Sequence, residues 1–398
     1  MKITGIAERT IPIASPLRNA RVDFSEMTAT IVAVATDQFR DGRRVVGYAF
    51  NSFGRYACGG PMRERFIPRL LAAAPAELND PATGWLDPQR ATRLMLAREK
   101  LGAHAERSMS VGTLEVALWD VVGKLAGRPL YQVLAERFGM PDCAQATAVP
   151  CYVGGGFYQP VDDMARVGDE VRRYLDAGYT HVKIKAGGLP LADDLRRIES
   201  VLALVGEGCR LALDASCAFG RDEALAYARA IEPYGLRWLE EPCDPGDFET
   251  YRAVGEAYGG TVAGGENLFS REETDNFLRY GRFGGRVVLQ PDPPLAYGIG
   301  EFDRIVATAA AHGVPRGSIM PHGGNLMSLH VAAGLGLGSA ESYPGLFGVF
   351  GGFGNEVRIQ DGVASLPYAP GIGFEEQPAL YTLFSGLADT LVAGRKAA

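Results

Sequence analysis

Acidic residues recur in the middle of the chain at one constant interval. Asp214, Glu240 and Glu266 are each 26 residues apart, and Asp292 follows at the same interval. Each ends a short apolar run, so one strand–helix unit per interval would bring all four to one end of a parallel barrel. Three converging carboxylates repel one another unless a hard cation joins them. The first three acids are therefore candidate metal ligands, and an all-oxygen set favours Mg²⁺ over Zn²⁺.

Two lysines lie one unit earlier, in the segment Lys183-Ile184-Lys185. Alternation along a strand places both side chains on one face, for which the alternatives are the barrel interior and solvent. In the interior, each ammonium group makes the other's charge costly and lowers the pKa of a lysine toward neutrality. A lysine with such a pKa can serve as a general base.

A histidine and two further carboxylates end later apolar runs. His322 ends the seventh run, and Asp292 ends the sixth, so the two are expected to be neighbours on adjacent strands. A carboxylate beside an imidazole fixes its tautomer and raises its pKa, which suits an acid or a base at neutral pH. Glu341, in the eighth run, is directed at the same opening.

The second part of the chain alternates short apolar runs with helical segments. This alternation predicts strand–helix–strand units with a parallel sheet, and eight runs argue for a (β/α)₈-type barrel. We expect residues 136–344 to form this catalytic barrel. The runs are 149–154, 181–187, 210–216, 236–242, 261–267, 286–292, 317–323 and 339–343.

The first part of the chain, residues 1–135, predicts a smaller α+β domain that caps the barrel. Residues 345–398 are Gly-rich at first and then contain a hairpin with Asp361-Gly362 at its turn, and we expect them to return to the cap. The predicted cap strands are 1–13, 28–36 and 44–51, and the predicted helices are 61–74, 88–101 and 111–126.

Composition bounds the function classes. The chain has 398 residues, 47% of them hydrophobic, and a net charge of −7, which argues against nucleic acid as a partner. Six scattered cysteines without a C-x-x-C pair are typical of reduced thiols. We see no secretory signal and no apolar stretch of about 18 residues, so we expect a cytoplasmic protein without a membrane partner.

The order of these features resembles the mandelate racemase branch of the enolase superfamily. The shared pattern is K-x-K, then Asp, Glu and Glu on three successive strands, then an Asp–His pair. The resemblance extends over essentially the whole chain and implies a modified (β/α)₇β TIM-type barrel with an α+β capping domain. Within the branch, the D-tartrate dehydratase family is most similar, over residues 16–20, 51–56, 99–100, 104–108, 264–267, 321–324 and 341–344.

The resemblance implies a hydro-lyase that converts a hydroxy acid or diacid, such as D-tartrate, to a 2-keto acid. It implies that Lys185 removes the α-proton, with Lys183 beside it, and that His322, held by Asp292, protonates the departing hydroxyl. Glu341 would hydrogen-bond the substrate. It also implies Mg²⁺ on Asp214, Glu240 and Glu266, and assembly as a homo-oligomer, from dimer to octamer.

Substrate recognition is expected mainly in the cap and at the strand ends. The candidates are Asn19, Asn51, Lys100, Tyr158 and Ser216. Departures from the tartrate-type pattern at Phe53, Gln159 and Ser216 leave the exact hydroxy acid and its stereochemistry open.

Alternative functions fit the sequence to different degrees. The same lysine and histidine would serve a racemase or epimerase, and related acid sugars are alternative substrates for a dehydratase. Gly334-Leu335-Gly336-Leu337-Gly338 lacks dinucleotide-binding spacing and ends an apparent helix, so close packing is its better interpretation. A zinc hydrolase would want H-x-H on the first barrel strand, which reads Cys151-Tyr152-Val153.

Overall fold

A computed structural model describes residues 1–13, 15–102, 104–281, 283 and 285–393. Its first part is an antiparallel three-stranded sheet covered by helices. The strands pair in the order β1 (Ile3–Pro12), β2 (Thr28–Arg40) and β3 (Arg43–Phe50). The helices are α1 (Gly59–Pro61), α2 (Ile67–Ala72), α3 (Pro75–Leu78), α4 (Pro88–Met95), α5 (Glu106–Ala126) and α6 (Leu130–Arg137), with a π-helical turn at Met62–Phe66 between α1 and α2.

The core of this part lies between the sheet and helix α5. Central residues of β2, such as Ile31 and Val34, are fully buried, as expected for a strand covered on both faces. Gly47 of β3 allows the helix to approach closely, because a Cβ there would lie 2.1 Å from the carbonyl oxygen of Ala117. The helix predicted over 88–101 ends earlier, at Met95, because the chain turns at Arg98, which has φ of 68°.

The second part is a parallel barrel of alternating strands and helices. Its strands are β4 (Ala148–Gly155), β5 (Val182–Lys185), β6 (Leu211–Asp214), β7 (Leu239–Glu240), β8 (Val262–Gly264), β9 (Val287–Leu289) and β10 (Ala340–Ser342). Its helices are α7 (Asp163–Asp176), α8 (Leu191–Val205), α9 (Arg221–Ile231), α10 (Phe248–Ala257), α11 (Arg271–Gly281), α12 (Ile299–Ala311) and α13 (Leu326–Gly334).

The ring closes through a very short seventh segment. Strands β4 to β9 pair in parallel in sequence order, and Ile319 forms a parallel bridge to Leu289 of β9. Gly338 donates its backbone N–H to the carbonyl of Ile319 at 3.0 Å, and β10 pairs in parallel with β4. The eight predicted runs therefore correspond to the barrel segments, and the (β/α)₇β architecture is confirmed.

The interior of the barrel is filled by side chains from alternating strand positions. Tyr152, Ala212, Trp238, Ala263, Val288 and Met320 form a separate buried cluster there. These residues hold the strands in register below the end that carries the acids. The register sets Lys185 beside Asp214 and Asp214 beside Glu240 on neighbouring strands.

The C-terminal tail divides between the two parts of the molecule. Its hairpin, β11 (Ile359–Gln360) and β12 (Val363–Ser365), pairs antiparallel with barrel strand β4. Helix α14 (Pro378–Ala393) packs on the capping sheet, where the rings of Phe384 and Tyr48 stack with centroids 5.0 Å apart. The helix therefore returns to the cap, whereas the hairpin pairs with the first residues of β4, which precede the residues of β4 that pair with β10.

Three other expectations concern the described residues. Gly338 packs closely, since a Cβ there would lie 2.0 Å from the carbonyl oxygen of Gly317. All six cysteines are free thiols. Among the described residues, no helix combines the length and the apolar character needed to span a bilayer.

Candidate active site

The two predicted lysines enter the barrel side by side and are buried with carboxylates. Lys183 is 1% exposed, and its Nζ lies 2.6 Å from Glu240 Oε1 and 2.7 Å from Glu341 Oε1. Lys185 forms an ion pair with Asp214, and its ammonium lies 4.9 Å from the ring centroid of Phe157. The sequence expectation that both side chains share the interior face is met.

The pKa values of these lysines differ from the expectation. Burial alone lowers the pKa of each, but Asp214 raises the pKa of Lys185, and Glu240 with Glu341 raises the pKa of Lys183. Both pKa values therefore lie above the ordinary lysine value. The prediction of a lysine pKa near neutrality is wrong for the protein chain alone, because carboxylate attraction outweighs lysine–lysine repulsion.

Glu240 is a buried carboxyl group at the end of strand β7. Burial raises its pKa to about 7, against the opposing effect of Lys183. Its Oε2 accepts hydrogen bonds from Trp238 Nε1 at 2.9 Å and Gln290 Nε2 at 2.7 Å. Burial also disfavours the charge of Asp214, but Lys185 and Lys183 hold the pKa of that carboxyl below its usual range.

Two of the predicted metal ligands are carboxylates that are paired with lysines. Within the described part of the chain, no three acidic, histidine or cysteine side chains already stand as a metal-binding group. Lys185 pairs with Asp214, and Lys183 lies 2.6 Å from Glu240 and 3.8 Å from Asp214. The carboxylates are oxygen donors, and burial strongly disfavours their charge unless cations compensate it. This donor chemistry fits a hard divalent cation.

The His322 imidazole is held between two carboxylates. Its Nδ1 lies 2.9 Å from Asp292 Oδ2, and its Nε2 lies 3.2 Å from Glu266 Oε2. Burial lowers the pKa of His322, but Glu266, the Asp292 hydrogen bond and Glu341 outweigh burial and raise it to about 10. The protonated imidazole is thus favoured, as a proton donor requires.

A glycine shapes the turn that presents this histidine. Gly324 has φ of 57°, and a Cβ there would lie 2.0 Å from Tyr343 Cδ2. The Gly323-Gly324 pair therefore lets the chain after His322 fold tightly against the Tyr343 ring.

One cavity of about 310 Å³ connects these groups at the carboxyl ends of the strands. Five predicted residues line it, namely Asn19, Lys185, Ser216, Glu266 and His322. Asp214 lies behind Ser216, whose backbone N–H and hydroxyl donate to Asp214 Oδ1 at 2.8 and 3.1 Å. The remaining predicted acid–base and metal residues, Lys183, Glu240, Asp292 and Glu341, are buried and contact lining residues or one another.

Two predicted substrate contacts lie away from the cavity. Tyr158 is buried, and its hydroxyl donates to Asp194 at 2.9 Å and accepts from the backbone N–H of Gly188 at 2.9 Å. Lys100 lines a different pocket, between the cap and helices α11 and α12. Neither residue therefore lines the active-site cavity. Three residues depart from the tartrate-type sequence pattern. Phe53 and Ser216 line the active-site cavity, whereas Gln159 does not, and its backbone N–H donates to Asp163 Oδ1.

Asn51, a third predicted substrate contact, also lies outside the lining of the cavity. It is fully buried, and its Oδ1 accepts the backbone N–H of Thr30 at 2.5 Å. Its Nδ2 donates to the carbonyls of Ser52 and Tyr56, both at 3.4 Å. Its side chain therefore joins β2 to the loop after β3.

Replacing Asn51 with alanine is expected to destabilise the fold and to leave substrate affinity almost unchanged. The variant would leave the buried N–H of Thr30 without an acceptor, which costs about 1–3 kcal/mol. Urea unfolding would measure the stability, and KM would measure the affinity. A raised KM with an unchanged free energy of unfolding would instead show that Asn51 contacts the substrate.

Several residues that line the cavity were not predicted from the sequence as site residues. Arg55, Glu241 and Asn267 line the same cavity, together with Tyr343 and Phe347. Glu241 directly follows Glu240, and a second acid at the same strand end was the one available signal. Its φ of 42° is unusual for a residue with a side chain and turns it to the cavity side.

Comparisons with known proteins agree with this architecture. A family model described as enolase C-terminal domain-like matches residues 166–379. The L-talarate/galactarate dehydratase of Salmonella typhimurium is 27% identical over 374 residues, which are 92% of this chain and 86% of that relative. The 3,6-anhydro-alpha-L-galactonate cycloisomerase of Streptomyces coelicolor is 30% identical over 68% of this chain and 70% of the relative.

A solved structure shares the fold over nearly the whole chain. The L-talarate dehydratase of Polaromonas sp. JS666, complexed with Mg and L-glucarate, superimposes with a TM-score of 0.72 at 25% identity and covers 92% of each chain. The sequence match and the shared fold agree with the order of strand-end residues. The chain belongs to the enolase superfamily, in the branch of mandelate racemase and muconate lactonizing enzyme.

Proposed function

We propose that the protein is a Mg²⁺-dependent hydro-lyase that dehydrates a hydroxy acid to a 2-keto acid. The observation that carries the proposal is the pairing of Lys185 and His322 in one cavity. Lys185 contacts Asp214, and His322 contacts Glu266, so an acid–base pair flanks two of the proposed metal ligands. Lys185 ends strand β5, and His322 follows the short barrel segment at Ile319. Strands β4 and β10 lie between these two positions on the barrel.

The proposed metal site consists of Asp214, Glu240 and Glu266. Mg²⁺ held there would supply positive charge for the dianion that develops on the substrate and would relieve the attraction that keeps Lys185 protonated. The related Polaromonas enzyme, whose structure was solved with Mg, supports this assignment.

The protein's own groups move the protons. Lys185 Nζ accepts the α-proton of the substrate, with the electron pair left on the adjacent carboxylate. That pair then forms the C–C double bond as the β-hydroxyl leaves, and His322 Nε2 donates the proton that turns it into water. Asp292 fixes the imidazole through Nδ1, so that Nε2 is the nitrogen directed at the cavity. The enol that results tautomerises to the keto acid.

The buried neighbours support these two groups. Lys183 lies beside Lys185 and balances the charges of Glu240 and Glu341. Glu341 is proposed to hydrogen-bond the substrate carboxylate region, and Asn19 and Ser216 are the predicted substrate contacts that do line the cavity.

D-tartrate, which would yield oxaloacetate, is the first proposed substrate. Its support is the sequence similarity around the cap loops and the strand ends. The Salmonella relative, an L-talarate/galactarate dehydratase, makes longer acid sugars the alternative within the same reaction class.

Racemisation or epimerisation is the second candidate reaction. Lys185 and His322 both reach the cavity and both can exchange protons, so they could act as two bases on opposite faces of the α-carbon. Dehydration yields a keto acid that a hydrazine reagent traps, whereas racemisation does not.

A screen of tartrates and acid sugars for keto-acid formation with Mg²⁺ tests the proposal. We expect at least one hydroxy acid to give a trappable keto acid. Inversion without keto-acid formation would favour the racemase, and no reaction with any acid would contradict both. Cytoplasmic location and homo-oligomeric assembly remain predictions, and sedimentation analysis tests the assembly.

A further inference from the structure

A guanidinium group from the capping loop reaches the active-site cavity. Arg55 follows strand β3 and lines the cavity together with Glu266 and His322. Its neighbour Gly54 lies near Glu266, one of the proposed metal ligands, because a Cβ on Gly54 would stand 4.0 Å from Glu266 Oε1. The loop therefore brings a positive charge to the cap side of the cavity, facing the carboxylates at the strand ends.

A chain of side-chain hydrogen bonds fixes this arginine to the barrel. Arg55 Nη2 donates to Asn267 Oδ1, and the guanidinium lies over the Phe269 ring, 5.1 Å from its centroid. Asn267 Nδ2 in turn donates to both oxygens of Glu241, at 2.7 and 2.9 Å. Glu241 is 2% exposed and also accepts from the Cys217 thiol at 3.2 Å. The guanidinium is thus anchored at one corner by barrel groups.

The remaining N–H groups of the guanidinium have no hydrogen-bond acceptor among the described residues. Within the described part of the chain, Arg55 makes no ion pair and no hydrogen bond except the one to Asn267. Arginine presents five donors in a planar fork that matches a carboxylate, and the anchor uses one of its nitrogens. The nearby wall is aromatic, with Phe53 stacked on Phe347 at 4.4 Å, and apolar surroundings strengthen a charged hydrogen bond.

We propose that Arg55 binds the second carboxylate of a dicarboxylic hydroxy acid, and that Asn267 and Glu241 position it. This inference rests on the proposed function, which assigns the first carboxylate to the metal end of the cavity. It deepens that function, because it makes the substrate a diacid and not an aldonate. Arg55 is a specificity-determining residue, while Asn267 and Glu241 act only through it.

Matched diacids and monoacids test this assignment directly. Tartrate and threonate have the same four-carbon backbone, and threonate carries a hydroxymethyl group in place of the second carboxylate; galactarate and galactonate form a longer pair. Calorimetry with the Mg²⁺-loaded full-length protein measures the affinity for each of these acids, and tartrate is tested as both enantiomers. We expect the wild-type protein to prefer the diacid of at least one pair by about 10- to 100-fold.

Arg55→Gln should reduce that preference to about twofold without weakening monoacid binding, and Arg55→Lys should restore part of it. Arg21→Gln is the matched control. Arg21 lines the same cavity, but the hydrogen bond to Asn267 is made by Arg55. We expect Arg21→Gln to change the preference by less than about twofold. A preference that survives Arg55→Gln, or that only Arg21→Gln removes, would overturn the assignment.

Asn267→Ala tests the positioning role separately. We expect it to weaken diacid binding and to spare monoacid binding, as Arg55→Gln does, but by a smaller factor. If Asn267→Ala weakened the binding of diacids and monoacids equally, its role would be merely structural, and the proposed positioning of Arg55 by Asn267 would be contradicted. Solvent-deuterium exchange into threonate and galactonate reports the proposed function without Arg55. Exchange in these monoacids with no diacid preference would refute only the Arg55 inference, whereas no exchange into any of the four acids would refute both.

Discussion

Lys185→Ala is expected to reduce deuterium exchange at the substrate α-carbon by about 10²- to 10⁴-fold. A positioned general base contributes roughly 10²- to 10⁴-fold, and no other described basic side chain contacts Asp214 from the open cavity. Lys183 cannot replace it, because Lys183 is 1% exposed and paired with Glu240 and Glu341. Proton NMR of the substrate in D₂O, with Mg²⁺ and enzyme, measures the exchange.

Lys185→Arg is the matched control for this experiment. It keeps a positive charge near Asp214, but its guanidinium does not lose a proton at accessible pH. We therefore expect a folded protein that still binds the acid but does not exchange its α-proton. Exchange that persists in either variant, with the fold verified by circular dichroism, would remove Lys185 from the role of base.

His322→Asn is expected to separate proton exchange from water loss. The variant keeps Lys185 and its carboxylate partner, so exchange at the α-carbon should continue from the lysine side. It lacks the imidazolium that protonates the departing hydroxyl, so keto-acid formation should fall by about 10²- to 10⁴-fold. NMR follows the exchange, and hydrazone trapping follows the keto acid in the same sample.

The pairing of His322 with Asp292 supplies a further check. Asp292→Asn removes the negative charge at Nδ1 and leaves Glu266 near Nε2, so keto-acid formation should fall while exchange persists. Keto-acid formation at the wild-type rate in His322→Asn would mean that another group protonates the leaving hydroxyl.

The sequence predicted the barrel and the clustering of charged side chains at its strand ends, because both follow from periodicity. An apolar run every 26 residues or so fixes the strand ends, and the parallel register then brings Asp214 beside Lys185 and Glu240. The position of His322 beside Asp292 follows from the same rule, since each ends one of two neighbouring barrel segments. These contacts depend on backbone geometry that the pattern of apolar residues encodes.

Contacts made by the cap were not predictable in the same way. Asn51 and Lys100 were assigned by resemblance, but the direction of a loop side chain depends on local hydrogen bonds that the pattern does not encode. The Arg55 contact with Asn267 joins positions 212 residues apart, and no periodic signal connects them. The raised lysine pKa values also depend on how many carboxylates surround each ammonium, which only the three-dimensional arrangement gives.

The central claim is that one divalent cation, held by Asp214, Glu240 and Glu266, enables Lys185 to take a proton from a hydroxy acid. A Mg²⁺ titration of the metal-free protein, with α-proton exchange followed by NMR at each step, tests it most directly. We expect exchange to be absent after chelation, to reach its maximum at one bound Mg²⁺ per chain, and to be lost in Glu240→Gln. Exchange that continues at full rate in the presence of excess chelator would contradict it.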